Sequence, residues 1–133
     1  MDIEAELSRI IVNETSDQQI VVLKERNGTR NFSIVIGIVE IFAIDRRLKG
    51  IETPRPMTHE LLENVIMGLG AKIDKVVIND LRNHTFYAEI YLSMGGKQVK
   101  IDSRPSDALA LCVATKVPIF VAEHVFEKLS RSE

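Results

Sequence analysis

The stretch that most constrains the fold is residues 99–113, which changes character midway. Val99 and Ile101 alternate with Lys100 and Asp102, the period of a half-buried strand. From Asp107 onward the residues are Ala, Leu, Ala, Leu, Cys and Val, apolar and largely helix-forming. Pro105 cannot continue a central strand, but its fixed φ suits the first turn of a helix. Ser103 or Ser106 is expected to cap that helix, and Asp107 suits the positive end of its dipole. A strand therefore runs almost directly into a buried helix. Asp102, Arg104, Ser106 and Asp107 crowd the junction, where the helix leaves N–H groups unpaired.

The flanking chain supplies partners for both elements. Residues 1–12 read as a strand, 13–18 as a polar turn and 20–23 as a β-branched strand. Asn27-Gly28 predicts a two-residue hairpin into a return strand over 32–36. Ile41, Ile44 and Leu48 have helical spacing, Arg46, Arg47 and Lys49 suit a helix C-terminus, and Gly50 stops it. Thr53-Pro54-Arg55-Pro56 reads as a rigid linker, with Thr58 as N-cap of a helix whose apolar face carries Leu61, Leu62, Val65, Ile66 and Leu69. Residues 76–78 read as a short buried strand, 79–84 as a polar turn, 86–92 as an alternating strand, and Gly95-Gly96 as the turn leading into the strand at 99–102. A last strand over 119–121 and a last helix over 124–129 complete the pattern. The expected fold is α+β: one compact domain over 1–133, with helices packed on a mainly antiparallel sheet. Hairpin-then-helix occurs twice, and Ile36, Ala43 and Ile44 align without gaps on Ile101, Ala108 and Leu109. An internal duplication is one explanation of that pattern.

Charge and composition narrow the function. A net charge of −2 and a pI near 5.9 argue against a uniformly basic surface that coats nucleic acid, though not against a local basic patch. The single cysteine, Cys112, excludes an intrachain disulfide and fits core packing. The longest apolar run, 34–44, is interrupted by Glu40 and is too short to span a bilayer. With Asp2, Glu4 and Glu6 at the start, a cytoplasmic protein without a membrane anchor is expected. Apolar runs such as 34–39 predict a homodimer or larger homo-oligomer.

There is no P-loop, no GxGxxG, no nucleophile elbow and no HExxH. Polar residues gather instead in three clusters: Arg55 to Glu60 with His59, Asn79-Asp80-Leu81-Arg82, and Asp102 to Asp107. Caps and turns explain such residues at element ends. Convergence of the clusters would instead let carboxylates hold a divalent metal or act as a base, and let arginines grip phosphate.

At these residues the chain resembles the bifunctional nuclease family. The resemblance rests on Arg55-Pro56-Met57-Thr58-His59-Glu60-Leu61-Leu62, on Val77-Ile78-Asn79-Asp80-Leu81-Arg82 with Thr85-Phe86-Tyr87-Ala88, and on Ile101 to Leu111, in that order. Its plant members are described as cutting both RNA and DNA. One departure is the segment after Gly37, alanine-rich in the family and here carrying Ile41, Phe42, Asp45 and Arg46. The resemblance implies a nuclease that hydrolyses phosphodiester bonds in RNA or DNA. Asp80, Asp102 and Asp107 would supply carboxylates for an activated water or for a metal such as Mg or Mn. His59 would be the general acid or base, its unperturbed pKa lying near neutrality, and Arg55, Arg82, Arg104 and Ser106 would bind substrate. The rival expectation is a non-catalytic regulatory module that binds a small anionic ligand or a protein partner. A third is a structural dimer whose motifs only hold the fold.

Overall fold

In a computed structural model that describes residues 1–131, the chain forms one seven-stranded sheet and four α-helices. The elements follow the order β1 (Asp2–Ile11), β2 (Gln19–Glu25), β3 (Asn31–Ile36), α1 (Ile38–Leu48), α2 (Thr58–Gly68), β4 (Lys72–Arg82), β5 (Thr85–Met94), β6 (Lys97–Ser103), α3 (Pro105–Cys112), β7 (Ile119–Ala122) and α4 (Glu123–Arg131). Across the sheet the strands lie β3-β2-β1-β7-β4-β5-β6. Every neighbouring pair is antiparallel except β4–β7. The architecture is thus the α+β sheet-and-helix domain that the alternating strands imply.

Two three-stranded meanders, β1–β3 and β4–β6, flank β7, and each runs into a helix. The repeated unit is one strand longer than the hairpin-and-helix visible in the sequence. Ala43 and Ile44 of α1 and Ala108 and Leu109 of α3 are all buried in one core. Ile36 and Ile101 differ: Ile36 is buried, whereas Ile101 sits on an open edge strand and is 43% exposed.

Strand alternation sends Val21, Leu23, Ile34, Val76, Ile78, Ala88 and Ile90 to the helix-bearing face. Phe32 of β3 stacks on Phe86 of β5 at 5.4 Å, although four strands separate them in the sheet, so the sheet curls to bring them together. Phe126 of α4 meets Phe32 edge-on at the same distance and seals that end. On the opposite face Val77 is buried beside Phe120 and Glu89, its partners in register, and Lys75 lies over the Tyr91 ring at 4.6 Å. Cys112 is buried in the core, and burial pushes its thiol up to about 12, far from a reactive thiolate.

Arg47 ties the helices together. Its side chain is 8% exposed, and its Nη2 donates to Glu63 Oε1 of α2 at 3.0 Å. Nε donates to the Ala110 carbonyl and Nη2 also to that of Leu111 (3.4 Å), both in the last turn of α3. A cation suited to the end of its own helix serves the end of a neighbouring one.

Local structure departs from expectation at three places. Between β2 and β3 the chain closes through Glu25 N–H to Arg30 O, and the Glu25 carboxylate accepts from Arg30, so the loop spans residues 26–30 rather than a two-residue Asn27-Gly28 turn. Met57 and Arg104 occupy the N-cap positions of α2 and α3, so Thr58 starts α2 as its first helical residue and neither Ser103 nor Ser106 caps α3. Residues 79–82 continue β4 past a bulge, and only Asn83 and His84, at φ 50° and 64°, make the turn.

Candidate active-site cleft

The first turns of three helices meet at one place. Glu40 is the third residue of α1, His59 the second of α2 and Asp107 the third of α3, with Arg104 at the N-cap of α3. His59 Nε2 lies 2.9 Å from Asp107 Oδ1. Arg104 donates from Nε to Asp107 Oδ2 at 3.0 Å, from Nη2 to Asp107 Oδ1 at 3.3 Å, and from Nη1 to Glu40 Oε2 at 3.4 Å. These residues wall an open cleft of about 660 Å³, completed by Val39, Thr58, Leu62 and the end of β6. Helix N-termini present unpaired N–H groups and positive potential, so a cleft built from three of them favours negative charge.

Burial pulls the Asp107 carboxyl up, but hydrogen bonds from Arg104 and His59, with their charges, outweigh it and hold the group below its ordinary value. Asp107 is therefore an ionised acceptor, which fixes a proton on His59 Nε2 and leaves Nδ1 as the open nitrogen of the neutral ring. Asp107 in turn raises the Arg104 pKa, so that side chain stays a permanent cation. The His59 and Arg104 side chains are 16% and 64% exposed, one set in the wall and the other at the mouth.

On its far side Arg104 borders a second groove, of about 560 Å³, together with Ser106, Glu40, His84 and the free edge of β3. Ser106 is buried at its base.

The first and third polar clusters of the sequence thus converge, and the second does not join them. Asp80 lies on β4, where its Oδ1 accepts from Lys128 Nζ of α4 at 2.9 Å and from its neighbour's Leu81 N–H at 2.8 Å. Arg82 Nε sits 2.9 Å from Asp80 Oδ2, and His124 Nε2 3.4 Å from Oδ1. Lys128 and the Leu81 amide hold the Asp80 carboxyl down to about 2. Arg82 also covers the Tyr87 ring at 4.1 Å. Beside this knot, at the bulge, Asn79 Oδ1 is buried without a hydrogen-bond partner among the described residues. Arg55 is exposed in the linker before α2, where its carbonyl accepts from Thr53 Oγ1. Asp102 lines the cleft on β6 together with Ile101 and Ser103, and it pairs in register with Glu89. Alternation turns its carboxylate to the other face of the sheet.

Among the described residues no three His, Cys, Asp or Glu side chains gather as a metal would need. Asp80 stands apart from the cleft that Asp102 and Asp107 line, and the Asp107 carboxylate is engaged by Arg104 and His59. This donor set does not fit a divalent cation. Glu40 is the site residue that reading the sequence missed. Its signal was an acidic residue three positions after Gly37, at the start of a helix.

The fold and the cleft define the class first: a small α+β domain whose polar site is built on the N-termini of helices. The chain belongs to the bifunctional nuclease domain family, whose model matches residues 21–133. It is 38% identical over 122 residues to a Mycobacterium tuberculosis protein described as uncharacterized, covering 92% of this chain and 73% of that one. Similarity also extends to bifunctional nuclease 2 of Arabidopsis thaliana, 27% identical over 110 residues, and to bifunctional nuclease 2 of Oryza sativa subsp. japonica, 25% identical over 114. These alignments cover 79% and 83% of this chain but only 33% and 35% of the plant proteins. No helix among the described residues is long and apolar enough to cross a membrane.

Proposed function

We propose that the chain hydrolyses phosphodiester bonds in RNA or DNA at the His59–Asp107–Arg104 cleft. The observation that carries this reading is the His59–Asp107 hydrogen bond, set where three helix N-termini meet. Asp107 orients the ring and stabilises its charged form, the task of a carboxylate behind a catalytic histidine. His59 Nδ1 takes a proton from the attacking water, or from the ribose 2′-hydroxyl where the substrate is RNA, and as the scissile P–O bond breaks that proton passes through solvent to the departing alkoxide oxygen. Arg104 shifts from its looser contact with Glu40 onto a phosphate oxygen, offsetting the charge that grows in the transition state. Each step uses only side chains of this chain and solvent.

Under this reading Asp80 and Arg82 lock α4 onto the sheet, Asp102 serves the opposite face, and Arg55 remains a candidate for contacts with longer substrates at the cleft entrance. The protein acts in the cytoplasm as a homo-oligomer.

The test is cleavage of labelled single-stranded RNA and DNA by protein and variants purified in parallel, with and without EDTA. Asp107→Asn is expected to lower turnover and leave substrate binding nearly intact, because the lost interaction matures in the transition state. Activity in EDTA supports a reaction carried by protein groups. A wild type that leaves both substrates whole would sink the reading.

A second reading, a non-catalytic module that binds a small anion, is favoured by the groove beyond Arg104. Ser106 and the permanent Arg104 cation face one space there. It predicts that Arg104→Ala removes binding of inorganic phosphate while no variant affects cleavage.

A further inference from the structure

The curl of the sheet brings the outer edge of β3 and the start of β5 to one groove, the groove of about 560 Å³ beside Arg104. Both walls carry main-chain groups that the sheet leaves unpaired. β3 is an edge strand with β2 as its neighbour. Glu25 N–H donates to Arg30 O, so in the unbroken antiparallel register the hydrogen-bonded pairs are Leu23–Phe32, Val21–Ile34 and Gln19–Ile36. The N–H and C=O groups of Ser33 and Val35 therefore point away from β2, to the groove side. On the other wall, β6 leaves β5 at the Ala88–Ser103 pair, so Thr85 and Phe86 have β4 on one side and no strand on the other. An open strand edge is a template for another extended chain.

One end of the groove suits an anion. β3 runs towards Gly37, and Glu40 just beyond it touches Arg104, so the start of α3 lies where β3 finishes. α3 begins without a side-chain cap, and Pro105 at its first position has no N–H. The N–H groups of Ser106 and Asp107 meet no acceptor among the described residues. The Ser106 side chain points to a ligand independently. Ser106 is 6% exposed at the base of the groove, and its hydroxyl makes no hydrogen bond among the described residues. Unlike Asn79 Oδ1, that hydroxyl is not sealed from solvent. Buried polar groups are ordinarily hydrogen-bonded, so a hydroxyl left open to a groove has a vacancy for a partner. Glu40 borders the same end, and its charge penalises a dianionic phosphate more than a single carboxylate.

We propose that this groove takes the free C-terminus of another protein as an extended strand beside β3, its terminal carboxylate held by Ser106, the first amides of α3 and Arg104. Main-chain hydrogen bonds to Ser33 and Val35 supply the pairing, as in other cases of strand addition to a sheet edge. The carboxylate sits at the Gly37 end, so the peptide runs parallel to β3. At about 3.3 Å per residue, the run from Ser33 to Gly37 matches a segment of about four residues. Every second side chain of that segment turns towards Phe86 and Pro105, which favours apolar residues at alternate positions. Arg104 keeps its bonds to Asp107 and exchanges its 3.4 Å contact with Glu40 for the terminal carboxylate. The docking depends on the strand edge and Ser106, not on what the His59 cleft does.

Fluorescence polarisation on the full chain tests this with labelled hexapeptides that end in a free carboxylate, serine alternating with each apolar residue in turn. At least one sequence is expected to bind, and its C-terminal amide to bind about tenfold more weakly or worse, the effect of losing charge-assisted hydrogen bonds. Ser106→Ala is expected to weaken the free acid about tenfold as well. Val35→Pro removes an outward N–H and spares the bonds to β2, an edge position where proline is tolerated, so it should weaken every peptide while the melting curve shows the fold intact. In amide NMR spectra the bound peptide should shift Ser33, Val35, Ser106 and Asp107 and slow hydrogen exchange at Ser33 and Val35. Failure of every peptide at millimolar concentration would overturn the proposal, as would equal binding of acid and amide. Inorganic phosphate or a single-stranded oligonucleotide that shifts these amides where no peptide does would also overturn it, and would assign the groove to a small anion or to the substrate strand. Cleavage of RNA and DNA is scored separately on the same preparations, so this proposal and the nuclease reading can each fail alone.

Discussion

Two aspartates in this domain are held by nearly the same set of groups. Asp107 has Arg104 and His59, whereas Asp80 has Lys128, Arg82 and His124. Both carboxyls are held below their ordinary values, Asp107 by Arg104 and His59 and Asp80 by Lys128, the Leu81 amide and Arg82. The difference lies in what surrounds them. Asp107 stands in the first turn of a buried helix, joins residues from α1, α2 and α3, and borders open volume. Asp80 joins one strand to one helix and lines none of the cavities described above. An ion pair with a histidine becomes a site only where a substrate can reach it. At Asp80 the same chemistry is a clasp for α4.

The strongest way to break that distinction is to remove each histidine in turn. His59→Gln is expected to lower turnover about a hundredfold to ten-thousandfold, the range for a general base. His124→Gln should leave turnover unchanged, because its ring lies 3.4 Å from Asp80 and outside the cleft. Equal losses in initial-rate assays would mean that the two clusters act as one site.

Next comes the scaffold under the cleft. Arg47→Ala removes the cation that joins α1 to the end of α3 and to Glu63 of α2. Leaving Glu63 and the α3 carbonyls unpaired is expected to cost about 3 kcal/mol in urea unfolding. The His59–Asp107 geometry should loosen with it, since those residues sit on α2 and α3. A loss under 1 kcal/mol, on the scale of an ordinary single hydrogen bond, would mean that apolar packing alone aligns the three helices.

The Asp80 clasp is best read through pH. Its folded pKa of about 2 lies below the ordinary 3.8. The unfolded state therefore binds more protons between those values, and stability falls as pH drops from about 4 to 2. Asp107 contributes in the same direction. Lys128→Met removes the chief cause of the Asp80 depression, so its melting temperature should be lower at neutral pH and flatter across the acid window. Turnover should be untouched. An unchanged acid slope would show that the Leu81 amide and Arg82 hold the carboxylate by themselves.

Much of this arrangement was legible in the sequence. The alternation over 86–92 and 99–102 and the apolar run after Asp107 specified β5, β6 and the buried α3 through period and composition alone. Residues 79–82 were harder, because a polar run at a bulge resembles a turn until pairing with β5 is known. Convergence was beyond spacing. His59 and Asp107 are far apart in the chain and meet only because α2 and α3 pack together with their first turns adjacent. Asp102 shows the converse: it borders the cleft, but period 2 puts its side chain on the sheet face opposite that of Ile101 and Ser103.

The smallest test concerns the loosest contact of the Asp107 cluster. Arg104 Nη1 reaches Glu40 Oε2 at 3.4 Å, longer than any distance between Asp80 and Lys128 or Arg82. Glu40 folds back over Gly37, the N-cap of α1, so closely that a Cβ at that position would collide with its carboxylate. Gly37 has φ −77°, which any residue adopts, so Gly37→Ala introduces no backbone strain. The collision is with the end of a flexible side chain, and the carboxylate moves aside. Alanine is a poorer N-cap than glycine, but it also restricts the unfolded chain, and the two effects nearly offset, leaving stability within about 0.5 kcal/mol. Arg104 then keeps Asp107 and loses Glu40. If Glu40 holds the guanidinium back from phosphate, Gly37→Ala and Glu40→Gln should both strengthen inhibition by inorganic phosphate about twofold, a gain of ~0.4 kcal/mol. The acid slope set by Asp80 should not change in either variant. Unaltered phosphate inhibition in both would show that Asp107 alone determines where Arg104 points, and the first cluster would then be as tightly held as the second.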